Sequence, residues 1–147
     1  MMLKRIPAFM DAEFLWVLAS MGHGDELAIV DRNFSGHRVA QKTTTGKLIV
    51  LQGIDAPTAI AGILELLPLD TFVEQLLSHM AAMDQFDQLL EVHKDVVDVC
   101  SKAEGRVIVS KPIERCTYYP IAEACFAVVQ TAEARPYANF ILKKGVI

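Results

Sequence analysis

Short, nearly uninterrupted apolar runs, each closed by turn residues, constrain this chain more than any other feature. Leu27-Ala28-Ile29-Val30 is too short for a helix and reads as a buried strand ending at Asp31. Lys47-Leu48-Ile49-Val50-Leu51 between Gly46 and Gly53, Phe126-Ala127-Val128-Val129, and Asn139-Phe140-Ile141-Leu142 before Gly145 share that character. Val107-Ile108-Val109 is also strand-like. Between these runs, apolar residues recur at helical spacing. Asp11 caps a segment with Phe14, Leu15, Leu18 and Met21 that stops at Gly22. Asp55-Ala56-Pro57 opens a second, where proline in the first turn gives up an N–H that has no helical partner anyway. Its apolar face is Ile60, Ile63, Leu64 and Leu67, and Pro68 ends it. Leu89 to Ala103 reads as a helix closed by Gly105, and Tyr118-Tyr119-Pro120 begins a short one through Ala124. Residues 71–83 fit either a helix or a strand near 76–82. Residues 33–36 and 133–136 read as turns. Strands alternating with helices predict the α/β class, one central sheet flanked by helices. With no repeat, linker or low-complexity segment, residues 1–147 are expected to form one domain.

Composition narrows the function classes. The net charge is -4 and no lysine–arginine block forms a basic patch, which argues against nucleic acid as a partner. No apolar stretch is long enough for a bilayer span, and Met1-Met2-Leu3-Lys4-Arg5 does not lead into a signal peptide. Cys100, Cys116 and Cys125 have no C-x-x-C spacing and read as reduced thiols of a cytoplasmic protein. Hydrophobic residues make up 52% of the chain, and the mean hydropathy is +0.31. A domain this small cannot bury so much alone, so part of it is expected at the interfaces of a homo-oligomer.

Gly22-His23-Gly24-Asp25-Glu26 is the most informative stretch for chemistry. It joins a helix end to a strand start, and a glycine on each side leaves the imidazole approachable. The helix C-terminus favours the protonated ring, and so do Asp25 and Asp31 if they lie close. His23 then reads either as a proton donor or as a helix cap. His37, after Gly36, reads as a surface histidine in a turn. His79 and His93 have no convergent partner in sequence. No histidine–carboxylate spacing matches a metal motif, so no metal is expected. Thr45-Gly46-Lys47 is not a phosphate loop, because Gln41 stands where the first glycine belongs and Leu48 follows the lysine. Arg115, Tyr118, Tyr119, Tyr137 and Asn139 form a second polar cluster, suited either to gripping hydroxyls or to an interface.

Met21-Gly22-His23-Gly24-Asp25-Glu26 with Asp31, and Tyr137-Ala138-Asn139 followed by Leu142-Lys143-Lys144-Gly145-Val146, resemble the L-fucose mutarotase and D-ribose pyranase family. The resemblance covers nearly the whole chain, is densest at its two ends and is poor over residues 70–105. It implies a ribose-pyranase-like fold and a mutarotase that interconverts the α and β anomers of L-fucose or a related free monosaccharide, with no cofactor. It implies His23 as proton donor, and Asp31, Arg115, Tyr137, Ala138 and Asn139 as sugar contacts. It also implies a decameric ring with sites near subunit contacts. Arg115 favours the fucose branch, since the ribose branch is expected to carry a histidine there. Ala132 stands where the family has a glycine. The alternatives are ribose pyranase activity, a sugar-binding module without catalysis, and a metal-dependent hydrolase built on the histidines and aspartates.

Overall fold

Residues alternate in side along each apolar run, and this builds a separate core on each face of one sheet. The computed structural model describes residues 2–147; Met1, included in the expected domain, lies outside the described residues. The elements in chain order are α1 (Ala12–Ser20), β1 (Glu26–Val30), α2 (Gly36–Ala40), β2 (Leu48–Val50), α3 (Ala56–Leu64), β3 (Leu77–Met80), α4 (Glu91–Glu104), β4 (Lys111–Ile113), α5 (Arg115–Glu123), β5 (Ala127–Gln130) and β6 (Phe140–Lys143). The strand order is β2-β5-β1-β6-β3-β4. β6 alone runs against the rest, antiparallel to both β1 and β3. Leu27 and Ile29 of β1, Ala127 and Val129 of β5, and Phe140 and Leu142 of β6 meet α1, α3 and α4. Ala28, Val30, Val128 and Ile141 meet α2 and α5 on the other face. Strands covered on both faces have no polar side, which is why the runs are continuously apolar.

The expected helix signals act as local physics requires. The Asp11 carboxylate accepts the Phe14 N–H at 2.9 Å, and Asp55 accepts that of Thr58 at 2.9 Å, each filling a donor that the helix start leaves open. Gly105 closes α4 at φ 67°, a left-handed position that suits glycine. Of residues 71–83, Leu77–Met80 form strand β3, and the helical alternative does not occur.

Four details differ from the sequence reading. Val107-Ile108-Val109 forms no strand: only Ile108 is buried, its N–H donates to Ser101 Oγ at 2.9 Å, and pairing with β3 starts at Lys111. α5 starts at Arg115, because the Glu114 side chain caps it by accepting the Thr117 N–H, and Pro120 therefore falls inside the helix. The turn at 33–36 runs into α2, which carries His37. Ala132 takes no positive φ, so its turn does not need the family's glycine.

Two histidines lie inside the fold. His79 on β3 and His93 on α4 are both under 2% exposed, with ring centres 4.2 Å apart. His79 Nδ1 lies 2.7 Å from Ser110 Oγ, and its Nε2 has no partner among the described residues. Burial, aided by His93, pulls His79 from 6.5 to about 4, and burial lowers His93 too. Both rings are therefore neutral in the fold but gain protons below about pH 6.5 once unfolded. For His79 the stabilising contribution is complete above that pH and is lost as pH falls toward 4, about 3 kcal/mol in all; His93 acts in the same direction. Glu26 and Asp31, raised by burial, act in the opposite sense. Urea unfolding at about pH 7.5 and about pH 4.5 should therefore show a flatter pH dependence in His79→Asn, whose amide can still reach Ser110, than in the wild type. Equal slopes would show that His79 titrates alike in both states.

Candidate functional site

β1 ends at Val30 and β6 begins at Phe140. Because the two strands run antiparallel with Ile29 opposite Phe140, the residues just beyond them meet at one end of the sheet. The Asp31 N–H donates to Asn139 Oδ1 at 2.9 Å, and Asp31 Oδ1 accepts the Asn33 N–H at 3.0 Å. Asp31 is 7% exposed. Burial pushes its carboxyl pKa up, against the opposing pull of its hydrogen bonds to Asn33, Asn139 and Phe34. Gln130, the last residue of β5, holds the loop after β1, donating from Nε2 to the Asp31, Arg32 and Phe34 carbonyls at 3.3, 3.4 and 2.9 Å. Gly36 packs so close that a Cβ would stand 2.5 Å from Gln130 Oε1, so a larger residue there would displace the Gln130 amide from the carbonyls it holds.

The first turns of α5 supply the facing wall. Arg115 and Tyr119 are four residues apart and share a face. The Tyr119 ring stacks on Phe34 at 5.1 Å with planes 8° apart, and the Arg115 guanidinium carbon is 5.7 Å from its centre. Arg115 takes part in none of the ion pairs among the described residues. With Met80, Pro136 and Tyr137, these side chains wall a cavity of about 260 Å³. The sequence-predicted Asp31, Arg115, Tyr137 and Asn139 therefore converge. Ala138 is fully buried in the core on the α1–α3–α4 face and does not line the cavity. Tyr118, from the predicted polar cluster, is also buried, and its hydroxyl donates to the Phe140 carbonyl at 2.9 Å, so it braces α5 against β6. The sequence reading missed Phe34 and Met80, which as lone apolar residues carry no signal for a site.

His23 does not join them. It precedes β1 while Asp31 follows it, so about 16 Å of extended chain separates the two. Asp25 is not its partner, since it accepts the Gly22 N–H at 2.7 Å. The carboxylate that meets His23 is Asp70, with Oδ2 3.1 Å from Nε2. Asp70 is only 3% exposed, while the His23 side chain is 48% exposed, with Phe72 against its edge. Asp70 reaches this place because residues 68–70 run alongside the chain end, where the Gly145 N–H donates to the Pro68 carbonyl at 2.8 Å. A Cβ on Gly145 would lie 2.5 Å from the Leu69 carbonyl oxygen. Asp70 falls in the poorly matching stretch, and only this long-range packing reveals it.

The remaining histidines offer no second centre. His37 is exposed on α2. His79 faces Ser110 in a cavity of about 320 Å³, but at a pKa of about 4 it is too weak a base to activate a serine at neutral pH. Among the described residues, no three His, Cys, Asp or Glu side chains are grouped as a metal-ligand set. No described helix is long and apolar enough to cross a membrane.

Residues 4–147 match the model of the RbsD / FucU transport protein family. The fucose mutarotase of Danio rerio is 40% identical over 150 residues, spanning 99% of this chain and 94% of the relative. Among solved structures, a protein proposed to bind sugar superposes with a TM-score of 0.95 at 40% identity, over 99% of this chain and 97% of that one. The fucose mutarotase of Streptococcus pneumoniae, solved with L-fucose, superposes with a TM-score of 0.87 at 30% identity, over 99% of both chains.

Proposed function

The chain belongs to the RbsD / FucU family, and on that premise we propose that it is a mutarotase that interconverts the α and β anomers of L-fucose or a sugar of matching hydroxyl configuration. The observation that carries this reading is the cavity beyond β1. A carboxylate, a guanidinium that forms no ion pair among the described residues and a carboxamide face one small space beside a tyrosine. Such groups suit a neutral polyol, whose hydroxyls both donate and accept. Asp31 accepts from sugar hydroxyls, Arg115 donates to them, and Asn139 offers a carboxamide at the cavity wall, its Nδ2 lying 3.6 Å from Met80 Sδ, a weak acceptor. Tyr119 and Phe34 give the ring an apolar wall.

Anomer exchange moves protons and one C–O bond. The anomeric hydroxyl loses its proton, C1 becomes an aldehyde carbon, the bond to the ring oxygen breaks, and that oxygen gains a proton. Rotation about C1–C2 and the reverse steps close the ring on the other face. An imidazole can give a proton in one direction and recover it in the other. His23 fills this role in the proposal, with Asp70 orienting its ring. Since His23 and the Asp31 cavity lie at opposite ends of β1, the reading requires His23 of a neighbouring subunit. A closed ring of copies, the decamer expected of the family, supplies one at every site. Exposed Phe72 beside His23, and Met83, Phe86, Val107 and Val109, provide apolar surface for such contacts. The three free thiols fit a cytoplasmic setting.

Saturation-transfer NMR of anomeric protons tests the reading. L-fucose should exchange faster than D-ribose, because Arg115 presents a guanidinium fork where an imidazole would suit ribose; ribose turning over as fast or faster would assign the chain to the pyranase branch. His23→Gln keeps polarity but cannot titrate, so exchange should fall by ~10²–10⁴-fold while sugar affinity changes little. A folded variant exchanging at the original rate would leave His23 as no more than the surface partner of Asp70.

A further inference from the structure

His93 lies outside the sugar cavity yet touches its frame. It is fully buried in the first turn of α4. Nδ1 faces the Leu90 N–H at 3.1 Å, and Nε2 faces the Tyr137 carbonyl oxygen at 2.9 Å. An N–H can only donate and a carbonyl can only accept, so the two contacts fix the neutral Nε2–H tautomer. His79 covers the ring at 4.2 Å, and Phe140 meets it edge-on at 5.8 Å, so the ring is held on more than one side.

The residue it holds is unusual. Tyr137 has φ 60°, a left-handed conformation that costs a residue with a Cβ about 1 kcal/mol or more and lasts only where its surroundings enforce it. Tyr137 lines the cavity, and Asn139, two residues on, carries the carboxamide that meets Asp31. We propose that His93 is a positioning residue for the sugar site: its Nε2–H holds the Tyr137 carbonyl and thereby sets the Tyr137–Asn139 turn in the shape that receives the sugar. This proposal rests on the mutarotase reading for its substrate but not for its geometry.

Two substitutions separate positioning from helix capping. His93→Asn places an acceptor near Nδ1, preserving the contact to Leu90, but cannot reach Tyr137. His93→Gln places an amide N–H near Nε2, preserving the contact to Tyr137, but leaves Leu90 without its acceptor. The readouts are the Tyr137 carbonyl and Ala138 amide shifts by NMR, the unfolding midpoint, and KM and kcat for anomer exchange. The Asn variant should move the Tyr137 and Ala138 signals and raise KM about tenfold, the equivalent of one hydrogen bond, with a smaller change in kcat. The Gln variant should keep wild-type signals and a KM within about twofold, while its midpoint falls. Wild-type signals and KM in the Asn variant, or equal damage to the site in both, would overturn the proposal. If no sugar is exchanged even by the wild type, the mutarotase reading fails, and the Tyr137 and Ala138 shifts still decide this one. The wild-type ring provides a check that needs no variant: its ¹⁵N shifts must report Nε2–H, and an Nδ1–H tautomer would overturn the proposal.

Discussion

β6 runs antiparallel to β1, with Glu26 opposite Lys143 and Ile29 opposite Phe140, while every other pairing outside β6 is parallel. The polar groups at both ends of the molecule depend on this one reversed pairing. At the end where β1 stops and β6 starts, Asp31 and Asn139 are joined by a hydrogen bond although 108 residues separate them. At the other end, the Gly24 N–H donates to the Lys144 carbonyl at 2.8 Å, which ties the His23 loop to the chain end. Reversing or slipping β6 would scatter both groups and turn Phe140 and Leu142 out of their core.

The two ends differ in electrostatic character. Asp31 is largely buried in the cavity wall: burial disfavours the charged carboxylate, and backbone and amide N–H groups partly offset that cost. Around His23 the ring is half in water, with its orienting carboxylate buried beneath it. A proton-transfer group must reach substrate and exchange protons with solvent, whereas a gripping group gains from exclusion of water. In the proposed mutarotase the sheet keeps these two jobs apart by the length of β1, and a neighbouring copy would reunite them.

Much of this was legible in the sequence. Asp11, Asp55 and Gly105 announce helix ends because capping is local, and the apolar runs announce strands because burial on both faces removes polar residues. Asp31, Arg115, Tyr137 and Asn139 were recognisable as a set from family resemblance, and the fold brings them together. What was not legible depends on distant partners. Val107-Ile108-Val109 has strand composition but lacks a paired neighbour, since Ser101 takes the Ile108 N–H. Glu114 is not among the usual capping residues, which hid the start of α5. Asp70 has no sequence link to His23 and is carried to it only by the packing of residues 68–70 against Gly145. Nor does the motif at Gly22–Glu26 reveal that its histidine lies at the opposite end of β1 from its own chain's cavity.

The central claim is that one working site takes His23 from one subunit and the Asp31 cavity from another. Subunit complementation tests it directly. His23→Gln and Asp31→Asn chains, each assembled alone, should exchange anomers hardly at all. Unfolded together and co-assembled at equal ratio, they should recover about a quarter of wild-type activity, because a random neighbour pair joins an intact His23 to an intact Asp31 cavity once in four. A co-assembled mixture that stays as inactive as its two parents would show that each site draws both residues from a single chain, contradicting the account.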